Sequence, residues 1–260
     1  MREATIRFYA ELNDFLPAAG RARPLSYRFF VEPAVKDVIE SFGVPHTEVD
    51  LVILNGQSAA FTDRVRDGDR IAVYPMFEAI DIRPLLKVRP EPLRTIRFVL
   101  DTHLGRLAAY LRMLGFDTCY SNRADDAELS EIARSERRIL LTRDRGLLKR
   151  GEVTHGYWVR ETAPRRQLAE VVRRFDLAGS IRPFTRCLIC NAMLRPATTG
   201  EAGGETARIS PPGLQRTELH ECPQCGQPYW SGSHVRRMRV LIDEVTGPRR
   251  EARRNQGESR

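Results

Sequence analysis

Acidic residues at the ends of two predicted strands are the first candidates for chemistry in this sequence. Asp101 closes the apolar run IRFVLD, and Asp144 closes the run RRILLTRD. Both runs predict strands of a parallel sheet, and the carboxyl ends of parallel strands lie at one edge, so the two carboxylates are expected there together. Oxygen ligands of this kind suit Mg²⁺ or Mn²⁺, which support phosphoryl chemistry. The sequence therefore predicts a catalytic Mg²⁺ or Mn²⁺ site at this edge.

A third acidic group is predicted at the same edge, where the helix DDAELSEIARSE begins with Asp125, Asp126 and Glu128. Any of the three could complete the set of carboxylates. Helix capping is the competing explanation, because an aspartate at a helix N-terminus accepts backbone N–H groups and interacts favourably with the helix dipole. Pairing of Asp101 with arginines such as Arg106, Arg143 or Arg145 would likewise make the cluster structural.

Four of the five cysteines form two pairs, Cys187-x-x-Cys190 and Cys222-x-x-Cys225. Two such pairs can close a tetrahedral Zn²⁺ site, and four thiolates leave no coordination position open, so the zinc is expected to be structural. An iron–sulfur cluster and a redox-active pair are the alternatives. The fifth cysteine, Cys119, is expected to be a small buried apolar residue.

Positive charge is concentrated in the second part of the chain. The 260 residues carry 42 Lys and Arg against 34 Asp and Glu, a net charge of +8. Residues 1–85 have 10 basic and 13 acidic side chains, a balance of −3, so residues 86–260 carry +11. Arginine matches phosphate geometry, and this surplus predicts a polyanionic partner. A general enrichment in arginine is the alternative.

The candidate contacts to a nucleic acid lie near the acids and after the second cysteine pair. Near the acids they are Arg106, Arg112, Arg143, Arg145 and Lys149; after the cysteines they are Trp230, His234, Arg236 and Arg237. Aromatic rings beside arginines can stack on single-stranded bases while the arginines bind phosphate. Packing of Trp230 against the cysteine segment is the alternative.

Hydrophobic periodicity divides the chain into five segments. Residues 1–81 have the pattern of two strands, a helix and two strands, which predicts an α+β domain. Prolines predict a stiff linker over 82–94. Strands alternate with helices over 95–181, which is typical of an α/β domain with a parallel sheet. Residues 182–246 contain the cysteine pairs and a basic helix, and 247–260 are predicted to be a disordered basic tail.

The sequence predicts a cytoplasmic protein with no membrane partner. No stretch has the roughly 20 apolar residues of a membrane helix, and the first residues lack the apolar core of a secretory signal. Two spaced cysteine pairs in a chain of this length are typical of a metal site in a reducing compartment.

The residues from FVLDTHLG to CPQCGQPYWSGSH resemble the PIN-like RNase module named after the C-terminal part of the Mut-seven nuclease, over roughly residues 95–240. The resemblance implies a three-layer PIN-type fold whose acidic residues hold one or two divalent ions and hydrolyse RNA. The matching acids are Asp101 in LDTHLG, Asp126 in DDAEL and Asp144 in LLTRDRGLL. A fourth acid is common in PIN nucleases, and Glu161 is the nearby candidate. PIN-like domains often pair, which makes a homodimer a candidate assembly.

The N-terminal segment resembles the ubiquitin-like β-grasp domain of ThiS and MoaD sulfur carriers, in the variant fused in front of this RNase module. The run DRVRDGDRIAVYPMF matches the final turn and strand of that family. Sulfur carriers need a free C-terminal Gly-Gly, whereas this chain continues through EAIDIRP, so the carrier chemistry is expected to be lost. Docking of a protein partner, orienting or RNA positioning remain as roles.

The combined expectation is a cytoplasmic, divalent-metal-dependent RNase. It would consist of a β-grasp domain, a PIN-like α/β catalytic domain and a structural zinc ribbon that aids binding of RNA, including structured small RNA. The leading alternative is a catalytically inactive RNA-binding or adaptor protein that docks through the β-grasp domain. A sulfur-transfer partner is the more distant one.

Overall fold

A computed structural model describes residues 1–75, 88, 96–196, 219–230 and 233–254. The chain forms two compact units, one of Met1–Asp101 with Ala124–Trp158 and one of Thr102–Arg123 with Val159–Arg260. The predicted linker over 82–94 lies outside the described residues except for Val88, and its stiffness stays a prediction.

The N-terminal domain is a five-stranded mixed sheet with one helix. Its elements are β1 (Arg2–Phe8), β2 (Leu25–Phe29), α1 (Val35–Ser41), β3 (Leu51–Leu54), β4 (Gln57–Ser58) and β5 (Arg70–Tyr74). The strand order is β2-β1-β5-β3-β4, with β1 and β5 parallel at the centre and the other pairs antiparallel. This arrangement is the α+β domain that the strand and helix pattern predicts and the β-grasp fold that the resemblance implies, with the short strand β4 in addition to the four expected strands.

Buried and exposed residues alternate along β1, and the buried ones contribute to the core of this domain. Every second residue of β1 is buried, and Ile6 and Phe8 share the core with Val38 and Ile39 of α1. A two-residue turn joins β3 to β4, and both its residues, Asn55 and Gly56, have positive φ, at 51° and 84°. Asparagine and glycine are the residues that tolerate this conformation best, which explains the position of the hairpin.

The rest of the chain alternates strands and helices before it reaches the cysteines. Its elements are β6 (Phe98–Leu100), α2 (Gly105–Met113), β7 (Thr118–Tyr120), α3 (Asp126–Ser135), β8 (Ile139–Thr142), β9 (Gly156–Trp158), α4 (Pro164–Arg174), β10 (Arg195–Pro196), β11 (Leu219–Glu221), β12 (Pro228–Trp230) and α5 (Ser233–Arg254).

Three parallel strands place the acidic residues at one edge. Strand β8 pairs with β6 on one side and β9 on the other, with Leu141 opposite both Leu100 and Tyr157. All residues of β6 and β8 are buried, as the continuous apolar runs predict, and α3 packs against both strands. Asp101 and Asp144 follow neighbouring parallel strands and therefore lie at the same edge.

In the second unit, helices and a small antiparallel sheet surround the cysteines. Helices α2 and α4 pack against each other, and α5 packs against α4. Strands β10, β11 and β12 form an antiparallel sheet in that order. The helix α5 continues to Arg254, into the segment 247–260 predicted as a disordered tail. Residues 249–254, RREARR, consist of arginine, glutamate and alanine, which favour helix.

No helix within the described ranges is both long enough and apolar enough to cross a membrane.

Candidate active site and metal centre

A buried hydroxyl connects the two acids at the strand ends. The backbone N–H of Asp101 donates to the carbonyl of Leu141 (3.0 Å), which holds the carboxylate at the edge of the sheet. Thr142 donates its hydroxyl to Oδ2 of Asp101 (2.7 Å) and accepts the backbone N–H of Asp144 on the same oxygen (2.9 Å). Asp101 and Thr142 are buried and Asp144 is exposed, so the edge presents one recessed and one open carboxylate.

The turn that carries Asp144 is held from several sides. The backbone N–H of Gly146 donates to Oδ1 of Asp144 (2.7 Å). On the strand side, the indole N–H of Trp158 donates to the carbonyl of Arg143 (3.3 Å). The guanidinium of Arg145 lies over the Trp158 ring, 3.9 Å from its centroid. The Asp144 turn, residues 143–146, is thus fixed before and after the acid.

The acids at the start of α3 have different roles in the structure. Oδ1 of Asp125 accepts the backbone N–H of Glu128 (2.8 Å), so Asp125 is an N-cap, as the capping explanation predicts. Asp126 is the first helical residue, and its exposed side chain makes no such capping bond. Glu128 is exposed in the first turn. Capping therefore accounts for Asp125 and leaves Asp126 as the candidate acid of this helix.

The four cysteines, rather than the three acids, form a compact group of possible metal ligands. Among the described residues, the group of three or more His, Cys, Asp or Glu side chains that could hold a metal ion is the four-cysteine cluster. Asp101, Asp126 and Asp144 do not form a group of that kind. Thr142 connects Asp101 to Asp144, whereas Asp126 is the first residue of α3. Ion binding by these carboxylates stays a prediction.

One predicted RNA contact, Arg112, is wrong. Its side chain is only 5% exposed, and burial lowers the pKa of its guanidinium. It donates to the carbonyls of Thr118 (2.9 Å), Leu188 (3.0 Å) and Ile189 (2.7 Å). The guanidinium thus binds α2 to the first cysteine pair and is not presented to a phosphate.

The other predicted contacts have mixed environments. Lys149 donates its ammonium to the backbone carbonyl of Glu40 (3.1 Å), and Arg143, Arg145 and Trp230 are half-buried. The exposed members are Arg106, Arg236 and Arg237. The side chain of His234 lies outside what the structure describes.

The four cysteines surround a common centre. Their sulfur atoms all lie within 4.8 Å of one another, with 3.6 Å between Cys187 and Cys225 and 3.3 Å between Cys190 and Cys222. A tetrahedral ion with metal–sulfur bonds of about 2.3 Å would set its ligands roughly 3.8 Å apart. The spacing therefore suits one tetrahedral metal ion.

Both cysteine pairs have the same backbone turn. The N–H of Cys190 points at the sulfur of Cys187, and the N–H of Cys225 points at the sulfur of Cys222, each at 3.5 Å. The residue after each pair, Asn191 or Gly226, has a positive φ, of 71° and 73° respectively. Asparagine thus occupies in the first turn the position that glycine occupies in the second.

Hydrogen bonds favour the thiolate of Cys187. The Tyr229 hydroxyl accepts the N–H of Leu188 (2.9 Å), which directs its own proton to the Cys187 sulfur (3.1 Å). Burial alone would raise the pKa of Cys187, but the Tyr229 hydroxyl and two backbone N–H groups lower it to about 6. Burial raises the pKa of Cys190, and its hydrogen bonds with the sulfurs of Cys222 and Cys187 raise it further.

Two residues that fix segments with candidate acids have no part in the predicted site. Glu170 is buried and accepts the backbone N–H groups of Arg160 (2.9 Å) and Glu161 (3.0 Å), so it fixes the segment that contains the predicted fourth acid. Its position on the apolar face of α4, between Leu168 and Val171, was the available signal. Trp158 fixes the Asp144 turn, and no local sequence pattern marks that contact.

Comparisons with known proteins agree with this architecture. Residues 96–242 match the model of the Mut7-C RNAse domain, and residues 1–81 match that of the Mut7-C ubiquitin domain. Two crystal structures of small archaeal modifier protein 1 from Haloferax volcanii are similar to part of the chain, with 19% and 17% identity. They cover 29% and 30% of this chain and 98% and 99% of their own, with TM-scores of 0.25. None of the curated proteins matches the chain.

The RNase match spans more than half of the sequence and includes both strand-end acids and all four clustered cysteines. The chain therefore belongs to the Mut7-C RNAse domain family and carries that family's ubiquitin-like domain at its N-terminus.

Proposed function

We propose that this protein is a divalent-metal-dependent ribonuclease that hydrolyses RNA phosphodiester bonds at the edge formed by Asp101 and Asp144. The observation that carries the proposal is the Thr142 hydroxyl, which joins the two acids in a domain of the RNase family. Asp126 is the candidate third acid.

The protein's own groups define how this edge would work. The chemistry that a bound Mg²⁺ or Mn²⁺ supplies between carboxylates is charge neutralisation on the phosphate and acidification of water. Thr142 orients the Asp101 carboxylate by donating to Oδ2, and Gly146 orients Asp144 by donating to Oδ1. Such preorganised oxygens lose little conformational entropy when they engage a charged ligand.

The four-cysteine cluster is proposed to hold a structural Zn²⁺. Four protein sulfurs fill all positions of a tetrahedral ion and leave none for substrate. Metal analysis of the purified protein tests this: one zinc per chain is expected, lost in Cys222→Ser and retained in Cys119→Ser, because Cys119 is outside the cluster. Iron in place of zinc would contradict the assignment.

RNA is the proposed substrate, and structured small RNA is one candidate class. The arginine-rich residues 86–260 are the proposed RNA-binding part of the protein. A protein partner for the β-grasp domain, a homodimer and a cytoplasmic location stay predictions. Reduced thiols in a metal cluster favour a reducing compartment.

The test is cleavage of pooled cellular RNA with Mg²⁺ or Mn²⁺ and with chelator. Wild type and the matched control Asp37→Asn, an exposed aspartate on α1, should cleave with metal only. Asp101→Asn and Asp144→Asn should lose cleavage. Intact RNA with wild type and either metal would contradict the proposal.

A catalytically inactive RNA-binding or adaptor protein is the second candidate. It is favoured by one observation, that the three acids do not form a metal-binding group among the described residues. RNA bound by the wild type but left intact with both ions, and equal binding by Asp144→Asn, would establish it.

A further inference from the structure

The Asp144 turn rests on a single indole. Trp158 ends β9 and lies opposite Thr142, the last residue of β8. Its indole N–H donates to the carbonyl of Arg143 (3.3 Å), and its ring face receives the guanidinium of Arg145 at 3.9 Å. The residues immediately before and after Asp144 therefore contact the same side chain.

The N-terminal domain holds that indole in place. The Phe15 and Trp158 rings lie 5.1 Å apart, and Arg145 also lies over Phe15, at 5.0 Å. The backbone N–H of Trp158 donates to Oε1 of the fully buried Glu48. Trp158 packs against the hydrophobic core of the N-terminal domain, in which Phe15 is 5% exposed. An aromatic contact and a hydrogen bond thus reach the same residue from two N-terminal elements.

Further hydrogen bonds join the two domains around Trp158. The 3₁₀ helix His46–Glu48 contributes Thr47, which donates to the carbonyl of Leu148 (3.3 Å), and His46, whose Nε2 meets the carbonyl of Val153 (2.9 Å). These partners lie between the Asp144 turn and β9, so the N-terminal domain contacts the whole connection.

Gly156 shows how closely β9 approaches its surroundings. A Cβ at this position would lie 2.5 Å from the side chain of Leu148 and 3.5 Å from Cβ of Thr47. Only glycine fits there without displacing Leu148. Leu148 belongs to the same domain as Gly156, and the distance to Thr47 is an ordinary van der Waals contact, so β9 touches the N-terminal domain directly at this position.

We infer that the N-terminal β-grasp domain is a fixed part of the catalytic centre, in which Phe15 and Glu48 hold Trp158 and Trp158 positions Asp144 and Arg145. The inference rests on the proposed function and assigns the ubiquitin-like domain a role within it. Trp158 and Phe15 are positioning residues. A long arginine side chain stacked on two rings is restricted before substrate arrives, so Arg145 presents its charge to a phosphate at lower entropic cost.

The first test is kinetic and uses the full chain. Trp158→Phe keeps a ring but removes the N–H that binds Arg143, and Phe15→Leu keeps apolar volume but removes the ring. Each should lower kcat for RNA cleavage roughly 10-fold, because small displacements of catalytic groups are costly. The KM should rise by less than kcat falls, because the side chains that bind RNA, Arg145 included, remain present. The double variant should lose less than the product of the single losses.

The matched control is Phe29→Leu. Phe29 belongs to the same core as Phe15, is equally buried at 6% exposed, and its described ring contact is with Tyr27. It should lower stability as Phe15→Leu does and leave kcat at the wild-type value. Equal loss of kcat in Phe29→Leu and Phe15→Leu would reduce the effect to general stability and overturn the inference.

A second test detects the contacts of Trp158 with Phe15 and Arg145 by fluorescence, without measuring RNA cleavage. The chain has two tryptophans, so in a Trp230→Phe background only Trp158 fluoresces. Phe15→Leu and Arg145→Ala should each change its emission and its quenching by acrylamide. A changed emission with kcat unchanged in both Trp158→Phe and Phe15→Leu would overturn the positioning role while the nuclease proposal stands.

Mn²⁺ affinity separates the two proposals. If zinc-loaded wild type bound Mn²⁺ but left RNA intact, the nuclease proposal would fail, and the variants would still decide the inference. A roughly 10-fold weaker Mn²⁺ affinity in Trp158→Phe would support positioning of the carboxylates, as for other residues that orient metal ligands. Equal affinity in wild type and Trp158→Phe would overturn it.

Discussion

At the scale of single residues, the candidate site depends on one hydroxyl that donates and accepts at once. Thr142 is fully buried, donates to Asp101 and accepts from the N–H of Asp144. Serine can make the same two bonds, whereas valine has nearly the same shape and can make neither. Their comparison therefore isolates the hydrogen bonds from the packing.

We predict that Thr142→Val costs about 1–3 kcal/mol of unfolding free energy, because it leaves a buried carboxylate oxygen and a backbone N–H without their partner. RNA cleavage should fall with it. Thr142→Ser should retain most of the unfolding free energy and most of the cleavage rate, because it removes only a buried methyl group. Denaturant unfolding and the cleavage rate measure the two effects. Equal cleavage by the valine and serine variants would refute the role of the hydroxyl.

A second residue pair gives the N-terminal domain a pH dependence. Glu40 accepts a 2.6 Å hydrogen bond from Nδ1 of His46, whose other ring nitrogen meets the carbonyl of Val153. Burial alone would raise the pKa of Glu40, but the hydrogen bond and charge of His46 lower it below its ordinary value of 4.5.

A carboxylate whose pKa is lowered by folding stabilises the native state above its unfolded pKa, and that stabilisation is lost as the pH falls through the folded pKa. Wild type should therefore exceed Glu40→Gln in unfolding free energy by about 1 kcal/mol at neutral pH. The difference should shrink below pH 4.5. Chemical denaturation at several pH values measures it, and a gap independent of pH would exclude Glu40 as its source.

At the scale of elements, the first cysteine turn is attached to α2 by Arg112. Besides the three carbonyls that Arg112 binds, Asn191 donates to Oδ1 of Asp117 (2.8 Å) and accepts the N–H of Thr118 (3.0 Å). The turn that holds half of the metal ligands is thus hydrogen-bonded to the loop between α2 and β7. Metal binding and the packing of α2 are expected to stabilise each other.

Arg112→Ala should therefore lower the unfolding free energy by about 3 kcal/mol, because one buried and two partly buried carbonyls lose a charged donor. Arg106→Ala is the matched control on the same helix, and its exposed side chain predicts a change within about 0.5 kcal/mol. Release of zinc to a chelator should be faster in Arg112→Ala only. Similar stability of the two variants would contradict the structural role of Arg112.

The local hydrophobic pattern of the sequence predicted most helices and strands. The features that it could not predict depend on contacts between residues that are distant in sequence. Asp101 and Asp144 were found because a buried strand is a short apolar run whose end is visible in the sequence. The burial of Arg112 could not be predicted in this way. An arginine on an amphipathic helix has the same local pattern whether its side chain contacts water or a carbonyl that is distant in sequence. Trp158 was missed for a similar reason, because its partner Phe15 is far away in sequence.

At the scale of the whole molecule, charge separates the first third of the sequence from the rest. Residues 1–85 carry −3 and residues 86–260 carry +11. The compact unit that contains the N-terminal domain also contains the strands that carry Asp101 and Asp144. We therefore expect the acidic N-terminal part to support the site and the arginine-rich remainder to supply most of the attraction for RNA.

RNA affinity should fall steeply with salt, because each phosphate contact to single-stranded RNA contributes a slope of roughly −0.7 in log K against log salt. Between about 50 and 200 mM salt, several contacts would weaken binding by at least about 10-fold. Replacing the exposed Arg236 and Arg237 with alanine should reduce the slope. Filter binding with a catalytically inactive variant measures it, and a flat salt response would contradict a basic RNA surface.

The central claim is that Asp101 and Asp144 act as one unit in RNA hydrolysis. The most direct test is the single-turnover cleavage rate of one defined RNA in Mn²⁺ for wild type, Asp101→Asn, Asp144→Asn and the double variant. Each single change should slow cleavage by roughly 100-fold or more, which is about 2.7 kcal/mol, and the double variant should be little slower than the slower single one. Losses that multiply in the double variant, or single variants that cleave like wild type, would contradict a shared site.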